Sequence, residues 1–527
     1  MFDKVIDDNK SSRSEKSIRN IKVSLLISVI TTIAAFANRT VFVRHLSTEY
    51  LGLNSFFSNI LSYLSLTELG IGNAITFALY KPIKERDNEK IRALMSEYQK
   101  LYTFVSGIIL ALGLLITPFI QFFIKEESRD IPLLRVYFLI YLFNLIMTLL
   151  FYCRRTIIIC DQKEYILSVV NGVFHLLVIA IQIAVLCFSE SYVGYLLVML
   201  LFTIIEGIYV FHMTNKMYKD VFSIKSERLS VEEKGTLRNN IFATFLHKIG
   251  SVVVSSTDSI IISKFVGLFM GGLYSNYLLI TDTIKNVILR IFASLSASVG
   301  NLMTEENKKH SEDVFYHILF LNCWVCGLIS ICFSCLFQPF ISAWIGTNYL
   351  LDDTIIYVVS IGFYISMVRL PLMIFKEASG VFVQDKWNSL IEGAVNLVVS
   401  LILVRRFGIS GVIVGTIISN MSVAMWYEAK VFFKAIYDKG FGKYLLSQLK
   451  YLIFNTCLLL ICLGLCNVIL KSLPDGRFVL AILINLAVCI VVPNAGYLLV
   501  FHKSKDFKYF INIFRRIWKN KNATSKG

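Results

Sequence analysis

Thr257-Asp258-Ser259-Ile260-Ile261-Ile262-Ser263-Lys264-Phe265-Val266-Gly267-Leu268-Phe269-Met270-Gly271-Gly272-Leu273 joins two long apolar segments across a turn, Gly267–Gly272. The segments form a hairpin over 240–301. Each arm exceeds the about 20 residues that cross a bilayer. Yet Lys248, Asp258, Asp282, Lys285 and Arg290 lie well inside its ends. A charge at the centre of a spanning helix costs about 2.5–3.5 kcal/mol on insertion scales, so five such charges are not kept facing lipid. They must face water or one another.

Helical periodicity sorts the polar residues. Thr244, His247, Lys248, Ser251, Ser255, Asp258 and Ser259 share one face of the first arm. Asp282, Lys285, Asn286 and Arg290 share one face of the second. Taken alone, Asp282 and Lys285 also fit an ion pair, three residues apart, that only locks helices. Two striped neighbours favour a shared wet cavity.

Composition sets the class. The chain has 527 residues, 56% hydrophobic and 17% charged, with a mean hydropathy of +0.66. This is an all-α polytopic membrane protein rather than a string of soluble domains. Its net charge of +16 would suit nucleic acid in a soluble protein. Here the basic residues sit in loops and tails, so no nucleic-acid partner is expected. The first 20 residues are charged and the apolar run that follows has no small-residue cleavage site, so no cleavable signal peptide is expected. Cys323, Cys326, Cys332 and Cys335 form two CxxC pairs within one apolar helix. They read as small buried hydrophobes, and neither a metal nor a cofactor is expected.

The apolar runs give about fourteen transmembrane helices. A tail (1–20) precedes six helices (21–213). A polar linker (214–239) leads to six more (240–432), then two extra helices (433–500) and a basic tail (501–527). An even count puts both termini on one side, and that side holds most of the 52 Lys and Arg residues. The termini are therefore expected in the cytoplasm, with the basic tail against membrane lipid. Outer loops are short and leave no room for an external catalytic domain.

An offset of 220 residues lays Gly52-Leu53-x-Ser55 on Gly272-Leu273-x-Ser275. Six helices separate the two points, so the repeats would share one orientation about an axis along the membrane normal. Other intramembrane charges are Arg39, Glu68, Glu206, Glu392 and Arg369, which lies two residues before Pro371. Gly70 and Gly72 are placed to break the helix at Glu68. His175 is read as a packing residue, and Arg154 and Arg155 reach the inner interface.

Several stretches resemble bacterial polysaccharide flippases. These are the Thr257–Phe265 segment with Gly272-Leu273-Tyr274-Ser275, and Leu66-Thr67-Glu68-Leu69-Gly70-Ile71-Gly72-Asn73-Ala74 after Leu51-Gly52-Leu53. Arg406-Phe407-Gly408-Ile409-Ser410-Gly411 is another. Over about residues 15–435 the chain is similar to the Wzx-like O-antigen and capsule exporters of the multidrug/oligosaccharidyl-lipid/polysaccharide superfamily. The resemblance implies two six-helix bundles around a central cavity, often with two extra helices. It implies a transporter, not an enzyme, that flips a polyprenyl-diphosphate-linked oligosaccharide from the inner to the outer leaflet of the cytoplasmic membrane. Cavity cations that would hold the diphosphate are Arg39, Lys248, Lys285, Arg290 and Arg369. Carboxylates that would tune them or exchange a coupling ion are Glu68, Asp258 and Asp282. His247, Ser251, Ser255 and Asn286 would supply polar surface.

A proton gradient, a sodium gradient and the substrate gradient all remain as driving forces. A polymerase or glycosyltransferases of the same pathway would be partners. The alternatives are a multidrug antiporter of the same superfamily, whose cavity should be acidic or aromatic, and a membrane polysaccharide polymerase, which would need a large outer loop.

Overall fold

A computed structural model describes residues 13–65, 71–126, 131–225, 229–235, 237–238, 241, 257–303, 307–381, 388–472, 478–512 and 515. Every described element is helical. Contacts divide the chain into two compact units, Met1–Gly272 and Leu273–Gly527. The linker expected at 214–239 therefore lies inside the first unit.

In the first unit α1 (Arg13–His45) runs along α6 (Glu164–Ser189). Small residues make the approach possible: the Ser24 and Ser168 hydroxyls bond at 2.9 Å, and Gly172 receives Ile27. α2 (Thr48–Leu64) ends at Ser65, and α3 (Ile71–Glu85) takes the chain onward. The expected second span is thus two helices. Glu68 lies outside the described residues. α4 (Asn88–Ile116) and α5 (Leu134–Cys160) pair. α7 (Tyr192–Met217) lies on α5, where a Cβ on Gly207 would stand 2.2 Å from the Phe151 ring. A short α8 (Lys219–Phe222) follows.

A helical stretch at 257–265 and the start of α9 (Leu268–Met303) complete the first unit. Two pairs of backbones meet there. A Cβ on Gly52 would lie 2.1 Å from the Leu268 carbonyl oxygen, and one on Gly272 would lie 2.0 Å from that of Thr48. Only glycine fits either position.

In the second unit α10 (Lys308–Trp344) is flanked by α11 (Asp353–Val368) and α12 (Leu370–Ser379). α13 (Asn388–Ser419) is two helices joined at Gly408, whose φ of +55° suits glycine. That break separates the two spans expected on either side of Arg406–Gly411. The second arm runs into a π-helix, Asn420–Glu428, and then α14 (Ala429–Ile436). The C-terminal pair, α15 (Phe441–Ser472) and α16 (Phe478–Phe501), docks on α10. Trp324 stacks on Tyr497 at 5.2 Å. Asn455 donates to the Cys323 carbonyl at 3.3 Å.

Among the described residues ten helices are long and apolar enough to cross a membrane. This is a multi-pass membrane protein. The 36-residue α9 is not one of the ten. Its first half carries Asp282 and Lys285 and its second half Asn286 and Arg290.

Candidate functional site

On α9, Asp282, Asn286 and Arg290 are exposed at successive four-residue steps, with Lys285 half-buried between them. Thr281 and Ile288 are buried, while Val287, Leu289 and Ile291 are exposed beside the polar residues. Asp282, Asn286 and Arg290 thus lie on an exposed side of α9. Asp258, in the first unit, is half-buried beside Thr257, whose hydroxyl bonds that of Tyr63. His247, Lys248, Ser251 and Ser255 lie outside the described residues.

Arg39 on α1 is half-buried near Tyr195 and Tyr141. Its neighbour Asn38 donates to the Gln182 side-chain oxygen and to the Tyr195 hydroxyl, each at 3.2 Å. Tyr141 and Tyr192 both donate to the Asn54 side-chain oxygen. Tyr137 and Tyr50 close around Tyr192, with ring centroids 4.8 and 4.5 Å away. Tyrosine carries an apolar ring and a polar tip, so this cluster presents both stacking and hydrogen-bonding surface beside a cation.

Arg369 ends α11 in front of Pro371 and turns into the second unit. Its Nη1 donates to Glu392 at 3.0 Å and to Asn420 at 2.8 Å, and its Nη2 donates to Glu428 at 3.2 Å. The Lys376 ammonium meets the other Glu428 oxygen. Glu428 is 1% exposed and Glu392 6%. Two cations and two carboxylates therefore balance out of water, with Asn420 and Glu428 both supplied by the π-helix. Such helices often mark functional sites. The first unit holds a smaller network in which Arg155 donates to Asn171 at 3.0 Å and to Glu206 at 2.7 Å.

With this geometry in view, the relatives can be named. The profile of the polysaccharide biosynthesis protein family matches residues 17–299, more than half of the chain. The chain belongs to that family. No curated protein sequence matches it. Among solved structures the family member is similar to the lipid II flippase MurJ in an inward closed conformation: TM-score 0.65, 16% identity, covering 90% of this chain and 98% of that one. It is also similar to an inward-facing multidrug resistance MATE family transporter of the MOP superfamily: TM-score 0.64, 15% identity, covering 79% and 99%. A mutant of the Vibrio cholerae MATE transporter VcmN gives TM-score 0.55 at 13% identity, covering 82% and 99%. At these identities the likeness establishes the fold.

Within this family member, the sequence singles out Arg39, Arg369 and the α9 face as candidates. It missed the partners of Arg369 on α14's approach, Asn420 and Glu428, and it missed Lys376. Their signal was the repeat offset, which carries Arg155 and Glu206 close to Lys376 and Glu428. It also missed the tyrosines around Arg39, because tyrosine is unremarkable in an apolar helix. The CxxC motifs hid a tertiary relation too: the thiols of Cys335, Cys466 and Cys489, from three helices, lie within 4.8 Å of one another.

Proposed function

We propose that this protein is a flippase that moves polyprenyl-diphosphate-linked oligosaccharide units from the inner to the outer leaflet of the cytoplasmic membrane, with both termini inside. Membership of the polysaccharide biosynthesis family supports it, as does a flippase fold that covers more of the chain than the MATE fold does. The observation that carries it is the open face of Asp282, Asn286 and Arg290 on a membrane-length helix. Charges there are too costly to meet acyl chains, so the face meets water or a polar substrate.

A diphosphate cannot cross hydrocarbon bare. Arg and Lys donors replace its hydration shell, Arg through two parallel N–H bonds. Arg39, Lys248, Lys285 and Arg290 take that role. The sugars use Asn and Ser side chains, and the polyprenyl tail stays in lipid. Asp258 and Asp282 tune the cations or exchange a coupling proton or sodium ion. No bond in the substrate changes. Arg369 serves its own unit, since its Nη donors already meet two carboxylates.

The test is delivery of lipid-linked sugar to the outer leaflet of proteoliposomes. An Arg290→Ala, Lys285→Ala double variant should lose at least about tenfold in rate, the equivalent of one charge-assisted bond. Unchanged flipping rejects the site. The MATE-like fold raises a second reading, export of organic cations. Dye resistance conferred on cells, without any flipping activity, would put it first.

A further inference from the structure

At the end of the first unit where α5 and α7 finish and α4 begins, two cavities share Arg92, Arg154 and Phe222 as walls. Their volumes are about 530 and 300 Å³. Gln99, Asn215, Lys219 and Ser223 contribute donors to the same space. Among the described residues no carboxylate lines either cavity.

Arg154 is the centre. Its guanidinium lies 3.9 Å from the Phe222 ring centroid and 4.5 Å from that of Phe211. These rings hold it in place from two sides. Its Nη1 is buried and has no hydrogen-bond partner. Arg92 lies against the same Phe222 ring, at 5.6 Å. Two guanidiniums are thus clamped by one aromatic side chain, and mutual repulsion is the cost unless an anion sits between them.

Four of the described acids nearby are already engaged. Glu206 takes Arg155 at 2.7 Å, and Asp161 takes Lys163 and the Tyr218 hydroxyl, each at 2.8 Å. Burial and the adjacent Asp161 carboxylate push the Tyr218 hydroxyl well above its usual range, so it remains a donor to that carboxylate. Glu233 takes Lys90. Glu97 takes Lys100, the remaining cation of the larger cavity, at 3.5 Å. Among the described residues no carboxylate pairs with Arg92, Arg154 or Lys219.

We propose that this cavity binds a phosphate-bearing anion at the membrane–water boundary. Arg154 and Arg92 offer the planar forks that match phosphate oxygens, and Lys219 adds a point charge. The positive-inside reading puts this end in the cytoplasm, beside the anionic leaflet. Phe104, 68% exposed at the rim, gives an acyl chain a surface to lie on. The anion is thus a phospholipid headgroup or a free phosphate. The site uses none of the residues assigned above to the carried diphosphate and stands apart from that reading.

The experiment uses the full chain in phosphatidylcholine nanodiscs and in uncharged detergent, titrated with phosphatidylglycerol, inorganic phosphate and inorganic diphosphate. Native mass spectrometry and a binding isotherm are the readouts. We expect saturable uptake of one phosphate-bearing molecule per chain. Arg154→Gln, and separately an Arg92→Gln, Lys219→Gln double variant, should each weaken it about tenfold or more. Uptake of phosphatidylglycerol alone identifies a headgroup site, and uptake of inorganic phosphate or diphosphate identifies a soluble-ion site. The double variant leaves Arg154 between its rings, so it decides the matter if Arg154→Gln fails to fold. No saturable uptake of any probe overturns the proposal, as does equal uptake by wild type and the double variant.

Discussion

In the first unit Arg155 on α5 reaches Asn171 on α6 and Glu206 on α7. In the second, Lys376, Glu392 and Glu428 stand at related positions: 155 and 376, and 171 and 392, are 221 apart, while 206 and 428 are 222 apart. Arg155–Glu206 and Lys376–Glu428 are ion pairs at nearly the same offset along the chain. The middle position differs. Where the first unit has neutral Asn171, the second has Glu392, and the extra negative charge is matched by Arg369. Neutrality is kept in both, but at different depths: Glu206 is 19% exposed and Glu428 1%. A partly solvated pair tolerates the loss of a partner, whereas a buried four-membered set does not, because each survivor is left charged without water.

The largest effect should come from breaking the deeper set. Glu428→Gln leaves Arg369 and Lys376 with one carboxylate and should destabilise the protein by about 3–5 kcal/mol, read as a fall in thermal midpoint in detergent. Glu206→Gln should cost no more than about 1 kcal/mol by the same measurement. If the two variants melt together, the distinction between the units fails.

Converting one network into the other sharpens it. Glu392→Asn and Arg369→Leu should each destabilise, but together they restore neutrality and approximate the first unit. A double-mutant cycle should show about 1–3 kcal/mol of favourable coupling. Strict additivity would mean that charge balance is not what holds the set together.

The glycine contacts supply a further comparison. Gly52→Ala and Gly272→Ala both drive a methyl into a carbonyl oxygen and should each cost about 1–3 kcal/mol, visible as lost expression or a lowered midpoint. Gly107→Ala on α4 meets nothing within 4 Å and should shift stability by less than about 0.5 kcal/mol. Equal tolerance at Gly52 and Gly107 would show that the backbones do not approach so closely.

Much of this architecture was legible beforehand. Apolar run length located the helices, because backbone hydrogen bonds cannot go unmade in lipid. The Arg406–Gly411 motif located the Gly408 turn, since a positive φ demands glycine there. Arg369 and Glu392 stood out because charge is rare inside apolar helices. Their partners did not. Lys376 and Glu428 lie towards helix ends, where charge is ordinary, and only tertiary packing buries them. Arg154 looked like an interfacial residue extending to water, because nothing in its neighbourhood along the chain announces Phe211 and Phe222. In the second span the break was expected at Gly70 and Gly72, whereas α2 already stops at Ser65, a position that hydropathy does not mark.

The glycine crossing carries a mechanical consequence. Thr48 and Leu268 are 220 apart, as are Gly52 and Gly272, and the contacts are crosswise: Gly52 on Leu268, Gly272 on Thr48. The two crossings tie the same pair of segments together four residues apart, so a side chain at either glycine would push both backbones away from each other at once.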